Sequence, residues 1–456
     1  MKKTEKRKTG LIHCQNRHLW KAGVFSFFSL FTLLFTARSA RAEDTNVEAE
    51  VRALQQQNAI LEQQLEKQNQ SIETLSKKVQ ELETSNTGHE NAMAQNAPPA
   101  AAGYNLGNVN ISGEGGVAFF KTGSQGFSPN SNFRVDEARL FVEAPIWKEV
   151  YFHGEADLVT RENNNLNVQT GELYLDAQDL SDLWGRDGQL NLRAGRMYFP
   201  FGEEYLTRYA IDNPLLSHSI SDLWGYGTGL EAYGTLSKFN YAVAVQEASG
   251  VNGLQDFNGD EEVTGRIGFK PNKHWDFSVS ATRTGNLSAQ NDMVSALWFG
   301  NTLFESLGGP GTTVFNVKLV EGDITARWSR WSGGYVHAFG GYGHYDDNDP
   351  AVNNGRDFFY YAVEGVQNLP KKFYVATRFS QAFSDKGLPL VGFGNYNDFG
   401  FPTLSTDLWR WSLGIGYRFS DQLLLKTEYS FESGRDLNGQ FRNNENFFGT
   451  EAAFKF

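Results

Sequence analysis

From about residue 104 onward, apolar and polar side chains alternate with a period of two through one segment after another. Successive side chains of a β-strand point to opposite faces, so each segment reads as a two-faced strand. The segment before Asp421 shows it most clearly: one face carries Trp409, Trp411, Leu413, Ile415, Tyr417 and Phe419, and the other carries Arg410, Ser412, Gly414, Gly416 and Arg418. Unpaired charges in a dry core would be costly, so the polar face must meet water. An apolar outside around a polar inside predicts an all-β, transmembrane antiparallel β-barrel.

The alternation recurs at 137–144, 150–158, 172–177, 190–194 and 423–432. At roughly twenty residues per strand and connection, residues 104–456 predict a barrel of about 16 strands, an even number as is usual for this class. An even number places both chain termini on the periplasmic side. We therefore expect periplasmic turns at 147–149, 271–273 and 420–421, and outward loops at 255–262 and 345–356.

Composition agrees with a barrel and excludes several other classes. The chain is 14% aromatic with 47 Gly, and its mean hydropathy of −0.46 averages a lipid face with a wet face. Its single cysteine, Cys14, lies in a segment that we expect to be removed. A mature chain without thiols has no disulfide scaffold and no cysteine-ligated metal. The net charge of −12 argues against a nucleic-acid partner.

The first 42 residues have the order of a secretory signal peptide. A basic stretch precedes the uncharged apolar run 22–36, and small residues follow at Ala40 and Ala42. We predict a signal peptide over 1–42 with cleavage after Ala42. An uncleaved membrane anchor is the alternative, although the run is shorter than the ~20 residues of a spanning helix.

Residues 43–84 predict a periplasmic α-helical coiled coil, and 85–103 predict a flexible linker. An unbroken 3-4 spacing forms one seam, which consists of Val51, Leu54, Asn58, Leu61, Leu65, Gln68, Ile72, Leu75, Val79 and Leu82. The apolar seam has to be buried against copies of itself, unless the segment is a solvated single helix. Asn58 and Gln68 favour one register, but they do not decide between two and three strands.

The chain ends on an aromatic of an alternating segment, since Phe448, Thr450, Ala452, Phe454 and Phe456 share one face. A terminal strand that ends in Phe resembles the signal read by the barrel-assembly machinery of bacterial outer membranes. We expect that machinery to be a partner through Phe456.

Two segments resemble the phosphate-selective porin family (porins O and P): FRVDEARLFVEAPIWKEVYFHGEADL (133–158) and LRAGRMYFPFGEEYLTRYAIDNPLL (192–216). The similarity extends from about Asn110 to the end, and these two segments are its specific part. It implies a homotrimeric channel of 16 strands in a Gram-negative outer membrane, with loops folded inward to constrict the pore. Phosphate selectivity is not carried over, because residues from 103 onward include 28 Lys and Arg against 42 Asp and Glu.

The side chains on the polar faces are the candidate lining of the pore. They are Glu137, Arg139, Glu143, Glu155, Asp157, Glu172, Asp176, Arg193, Arg196, Arg208, Arg266, Arg327, Arg378, Arg410 and Arg418. Mixed signs suit the passage of small polar solutes better than the capture of one anion. Arg193, Arg196 and Arg208 form either a local basic cluster or ordinary pairs with carboxylates.

No motif for catalysis, for a metal or for a cofactor is found, so the sequence predicts a non-enzymatic passive channel. Two alternatives remain. A carbohydrate-guiding porin would need a run of stacked aromatics in the lumen, which the alternation does not show. A structural barrel would use the coiled coil to tether the outer membrane, with its lipid and lipopolysaccharide, to the cell wall or to a periplasmic partner.

Overall fold

The computed structural model describes residues 104–106, 108–161, 166, 168–248, 260–289, 297–300, 302–395 and 403–456. The predicted signal peptide, coiled coil and linker lie outside the described residues. Among those described there is no α-helix, and none of their helical segments is long and apolar enough to cross a membrane.

Sixteen long antiparallel strands form one closed sheet. In chain order they are β1 Val109–Thr122, β2 Asn132–Trp147, β3 Val150–Val159, β4 Gln169–Ala177, β5 Asn191–Tyr198, β6 Tyr226–Leu236, β7 Phe239–Ala248, β8 Glu262–Asn272, β9 Trp275–Arg283, β10 Val314–Trp328, β11 Gly334–Asp347, β12 Arg356–Asn368, β13 Phe373–Leu388, β14 Ser405–Ser420, β15 Leu423–Asp436 and β16 Phe447–Lys455. Each pairs with its neighbours in sequence, and β16 also pairs with β1. The predicted barrel and its strand number are confirmed.

The seam between the first and last strands is closed by the end of the chain. Phe456 N donates to Gly113 O at 2.8 Å, and Gly113 N donates to Phe456 O at 3.1 Å. The Phe456 ring lies so close to Gly113 that a Cβ there would meet it at 2.6 Å. Closure leaves the sheet without a free edge, as a membrane barrel requires.

Alternation along β14 fits a lipid face and an inner face. Trp411, Leu413 and Ile415 are exposed, whereas Arg410 and Ser412 are buried inside the barrel.

One irregularity is invisible in the sequence pattern: a bulge in β2 opposite Gly116 and Val117 inserts Asp136. Asp136 and Glu137, consecutive in the chain, are therefore both buried.

Short links join the strands at one end of the barrel, among them 148–149, 273–274 and 421–422. These links overlap the three predicted turns. The other end carries longer connections, including 199–225 between β5 and β6, 284–313 between β9 and β10, and 389–404 between β13 and β14. Short helical segments occur at Leu180–Trp184, Glu204–Thr207, Phe304–Leu307, Arg330–Ser332 and Pro370–Lys372, and additional two- or three-residue strands at Tyr104–Leu106, Leu287–Ser288, Trp298–Phe299, Thr302–Leu303 and Phe441–Arg442.

The lumen is not polar throughout, and the expectation of a uniformly polar inner face is wrong for β10 to β13. Inward apolar side chains there pack against apolar residues of the loops 199–225 and 284–313. This apolar cluster comprises Phe199, Phe201, Ile220, Leu223, Leu287, Leu297, Phe299, Phe304, Leu307, Phe315, Val317, Leu319, Phe339, Tyr345, Phe358, Tyr360, Ala362, Ala382, Leu388, Leu390 and Leu408. The described residues of both loops thus lie inside the barrel, where burial of apolar surface holds them.

Candidate pore constriction

The connection 199–225, here called the constriction loop, lies inside the barrel and is bound to its wall. Gly202 N donates to Ser280 Oγ of β9 at 3.0 Å, and Ile220 N donates to Ser380 Oγ of β13 at 3.0 Å. Gly202 has a positive φ of 65°, and a Cβ there would meet Glu321 Oε1 of β10 at 2.2 Å. Glycine is therefore required where the loop passes the wall.

A buried carboxylate of β15 binds the middle of the constriction loop. Glu428 Oε2 accepts hydrogen bonds from the backbone N–H groups of Leu216 at 2.6 Å and Ser217 at 2.8 Å. Its Oε1 accepts from Ser217 Oγ at 2.5 Å. The loop has no regular secondary structure at this point, so the wall supplies the partners that its buried N–H groups need.

Cations of the wall bind the backbone carbonyls of the same loop. Lys426 Nζ donates to the carbonyl oxygens of Ala210, Asn213 and Leu215 at 2.6, 3.0 and 2.8 Å. The Lys426 side chain is 1% exposed, and its ammonium also lies 3.1 Å from Glu451 Oε2 of β16. Three donors are thus matched to three carbonyls, which fixes the path of the loop.

Two predicted site residues, Arg378 and Arg410, also anchor the constriction loop to the wall. Arg378 Nη1 donates to Ser217 O at 2.6 Å, and Arg410 Nη1 donates to His218 O at 2.9 Å. Each guanidinium is also paired with a wall carboxylate, Arg378 with Glu364 and Arg410 with Glu432. Both arginines are buried behind the loop.

The loop is also braced within itself. Arg208 Nη1 lies 2.7 Å from Asp222 Oδ1, and His218 Nδ1 lies 3.2 Å from Asp222 Oδ2. Burial opposes ionisation of Asp222, but the charges of Arg208 and His218 outweigh it and hold the pKa of that carboxyl below its usual range. His218 Nε2 faces the carbonyl oxygen of Arg208 at 3.0 Å. Both ring nitrogens of His218 thus face acceptors, so the ring is not placed to act as a base on the neighbouring Ser219.

The opposite wall, formed by β2 to β8, carries paired charges of mixed sign. Arg139 lies 3.4 Å from Glu137, 3.5 Å from Glu155 and 3.1 Å from Asp157. Arg193 lies 3.5 Å from both Asp176 and Glu231, and its side chain is 29% exposed. Most of these charges are bound in networks, while Arg193 also keeps contact with solvent.

The three arginines considered as a basic cluster are bound separately. Arg193 is paired as described, and Arg208 is bound to Asp222. Arg196 donates from Nε to Gly171 O at 3.1 Å, and its guanidinium lies 4.8 Å from the centre of the Tyr226 ring. The paired interpretation describes them better than a shared anion site.

The other predicted site residues are spread around the wall. Arg266 of β8 lies 3.6 Å from Glu203 of the loop, and Arg327 of β10 lies 3.8 Å from Asp276. Glu143 is half-exposed and lies 3.4 Å from His153. The last two predicted pore-lining residues are Glu172 and Arg418. Glu172 accepts a hydrogen bond from Tyr198 N at 3.2 Å, and Arg418 is half-buried on β14.

Aromatic rings lie inside the barrel and stack there, which the sequence analysis did not anticipate. Along β3 and β4, His153 and Tyr174 stack with ring centres 4.9 Å apart. Arg193 lies over both Tyr174 and Tyr233, at 5.1 and 4.3 Å from the ring centres. A two-residue period places Tyr174 on the inner face with Glu172 and Asp176, but it does not show which rings stack or lie against Arg193.

A second group of rings lies where the constriction loop returns to the wall. Tyr198 and Tyr226 have ring centres 4.3 Å apart, and Tyr198 also contacts Tyr205 at 6.1 Å. Trp224 stacks on Trp298 of the loop 284–313, with centres 5.4 Å apart and planes 1° apart. Sequence reasoning missed these rings, although Tyr205 falls within the segment 192–216 that carries the family resemblance.

Comparison with known proteins shows a shared fold at low sequence identity. No protein-family model matches the sequence, and no curated protein matches it. Among solved structures, the outer membrane channel DcaP of Acinetobacter baumannii aligns with a TM-score of 0.51 at 11% identity, over 78% of this chain and 100% of that one. OmpT, an outer membrane protein of Vibrio cholerae, aligns with a TM-score of 0.50 at 10% identity, over 76% of this chain and 97% of that one. The barrel fold is thus that of solved outer-membrane proteins.

Proposed function

We propose that the barrel is a non-enzymatic outer-membrane channel for passive diffusion of small hydrophilic solutes and ions. The observation that carries the proposal is the constriction loop, which is held inside the barrel by Glu428, Lys426, Arg378 and Arg410. A structural anchor would not need a loop fixed across its lumen. The fold shared with the channel DcaP supports the same function.

The proposed ion path lies between residues 204–208 of the loop and the wall of β3 to β7. The loop contacts the wall on either side of residues 204–208. Glu203 is paired with Arg266 of β8, and the ring of Tyr209 lies against Arg139 of β2. Between these contacts Leu206 is 53% exposed although it lies within the barrel. The partly exposed Arg193 lies on the opposite side. Much of the remaining cross-section, toward β10 to β13, is filled by the apolar cluster.

The channel prefers cations. Around the proposed path, carboxylates outnumber their basic partners: Glu172, Asp176, Glu203 and Glu231 lie near His153, Arg193 and Arg266. Uncompensated negative charge along a narrow aqueous path raises the local concentration of cations. Two segments resemble the phosphate-selective porins, but among the described residues the arginines of this wall are bound to carboxylates or carbonyl oxygens.

The predicted assembly completes the proposal. The channel is a homotrimer in a Gram-negative outer membrane, in contact with lipid and lipopolysaccharide, and it is assembled by the machinery that reads Phe456. Residues 43–84 form a periplasmic coiled-coil stalk that reaches a cell-wall or periplasmic partner. The heptad seam and the signal peptide support this arrangement.

A carbohydrate-guiding channel is the second candidate, and the rings inside the barrel favour it. Tyr174, Tyr233 and Tyr205 are partly exposed near the proposed path. Aromatic faces combined with carboxylates are suited to sugar rings, which offer C–H faces and hydroxyl groups. Sugar block of ion current distinguishes this candidate from unassisted diffusion.

Purified protein in planar lipid bilayers tests the channel. We expect stepwise openings in groups of three and, in a KCl gradient, a reversal potential of the sign set by K⁺. A silent membrane would support the anchor instead, and a reversal potential set by Cl⁻ would contradict the cation preference.

A further inference from the structure

We infer that Glu203, Asp323 and His337 form a binding site for a divalent transition-metal ion such as Zn²⁺, which joins the constriction loop to the barrel wall. The three residues come from the loop, β10 and β11. One ligand atom from each lies within 4.8 Å of the others. Sequence motifs gave no hint of this site, because the ligands are far apart in the chain.

The distances fit an ion between the donors. His337 Nε2 lies 3.2 Å from Asp323 Oδ1. Ligand atoms at ~2.0 to 2.2 Å from zinc in a tetrahedral site are separated by roughly 3 to 3.5 Å. Nε2 and Oδ1 can therefore both face one ion, and Glu203 needs only a small side-chain movement to complete the set.

The surroundings orient the ligands. Ser278 Oγ of β9 donates to Asp323 Oδ2 at 3.2 Å, which leaves Oδ1 facing His337 Nε2; a bound ion would replace the direct contact between these two atoms. The Asp323 side chain is 1% exposed, and those of His337 and Glu203 are 15% and 14% exposed. The ligands are thus shielded, but two of them still meet solvent, which provides a route of entry for an ion.

A third carboxylate, that of Asp276, is close enough to interact electrostatically with Glu203. Asp276 is 3% exposed, and within the described part of the chain its Oδ1 has no hydrogen-bond partner. Its Oδ2 is paired with Lys270 at 2.9 Å and lies 3.8 Å from Arg327.

Strand register places Asp276 on the same part of the wall as two of the ligands. Asp276 of β9 is opposite Thr325 of β10, which in turn is opposite His337 of β11. A divalent ion would neutralise converging carboxylates that otherwise repel one another. The imidazole ligand favours a transition metal over Ca²⁺ or Mg²⁺, which prefer oxygen ligands.

The test is metal binding by the full-length chain, purified without a histidine tag in detergent and stripped of metal. Calorimetric titration with Zn²⁺ should show one site per chain, and Co²⁺ should give the visible absorption of a site with a nitrogen ligand. His337→Gln and, separately, Glu203→Gln should each weaken Zn²⁺ binding at least tenfold. Folding of each variant is checked by heat-modifiable gel mobility. Because the two substitutions lie on different elements, one variant still tests the site if the other fails to fold.

The matched control is His344→Gln. His344 lies on the same strand and has its own carboxylate partner, Asp357, at 2.7 Å, but among the residues that the structure describes that pair has no third ligand. This variant should bind Zn²⁺ as the unaltered chain does. Unchanged affinity in folded His337→Gln, or equal competition by Ca²⁺, would overturn the inference. The assay measures binding alone, so its result is independent of the channel function.

Discussion

Removal of the Glu428 carboxylate should release the middle of the constriction loop and widen the channel. In Glu428→Ala, the N–H groups of Leu216 and Ser217 lose their acceptors at 2.6 and 2.8 Å. A buried donor left without a partner costs about 1 to 3 kcal/mol, so the two together cost about 2 to 6 kcal/mol. At ~1.4 kcal/mol per factor of ten, the population of the detached loop rises roughly 30- to 10⁴-fold.

Single-channel recording in planar bilayers measures this change directly. Glu428→Ala should show a larger mean conductance and more open-state noise than the unaltered channel. Glu428→Gln keeps one acceptor oxygen and should lie between the two. Tyr429→Phe, on the same strand and 41% exposed on the lipid side, is the matched control and should change nothing. A folded Glu428→Ala barrel with unaltered conductance and noise would refute the assigned role of the anchor.

Three further predictions concern pH, selectivity and sugar binding. Burial raises the pKa of Glu305 to about 7. The carboxyl therefore holds its proton more tightly in the folded state than in the unfolded state. The packing of Phe304–Leu307 should accordingly be most stable below about pH 4.5 and weaken as pH rises through 7. Hydrogen-exchange protection of those amides should follow that course, and Glu305→Gln should abolish the pH dependence. Arg193→Gln should move the reversal potential further toward that of K⁺, whereas a shift toward Cl⁻ would contradict the assigned path. Tyr174→Ala should weaken any block of current by maltose or a similar sugar several-fold; equal block in both channels would remove Tyr174 from the sugar path.

The barrel itself was predictable because its physical constraint is local. Lipid outside and water inside impose a two-residue alternation on each strand, and Trp411 and Arg410 show it without any knowledge of their neighbours. The contact of Phe456 with Gly113 joins the two ends of the barrel sequence and is not a local feature. The apolar face of the last strand was nevertheless visible in the sequence.

The constriction was not predictable in the same way, because its contacts are between residues distant in sequence. Nothing around Glu428 indicates that it accepts hydrogen bonds from Leu216 and Ser217. Leu319 and similar inward residues of β10 to β13 break the rule of a polar lumen because loops cover them. The bulge at Asp136 likewise depends on pairing between strands, which periodicity within one strand does not contain.

Chemical modification at the proposed path tests the central claim most directly. The sequence has one cysteine, Cys14, in the predicted signal peptide, so an introduced thiol would be the only one in the mature chain. Thr207→Cys places a thiol on the exposed part of the constriction loop, and Leu413→Cys places one on the lipid face. A bulky cationic methanethiosulfonate reagent should reduce the current of open Thr207→Cys channels in discrete steps and leave Leu413→Cys channels unaffected. Full current through Thr207→Cys channels whose labelling is verified by mass spectrometry would contradict an ion path beside this loop.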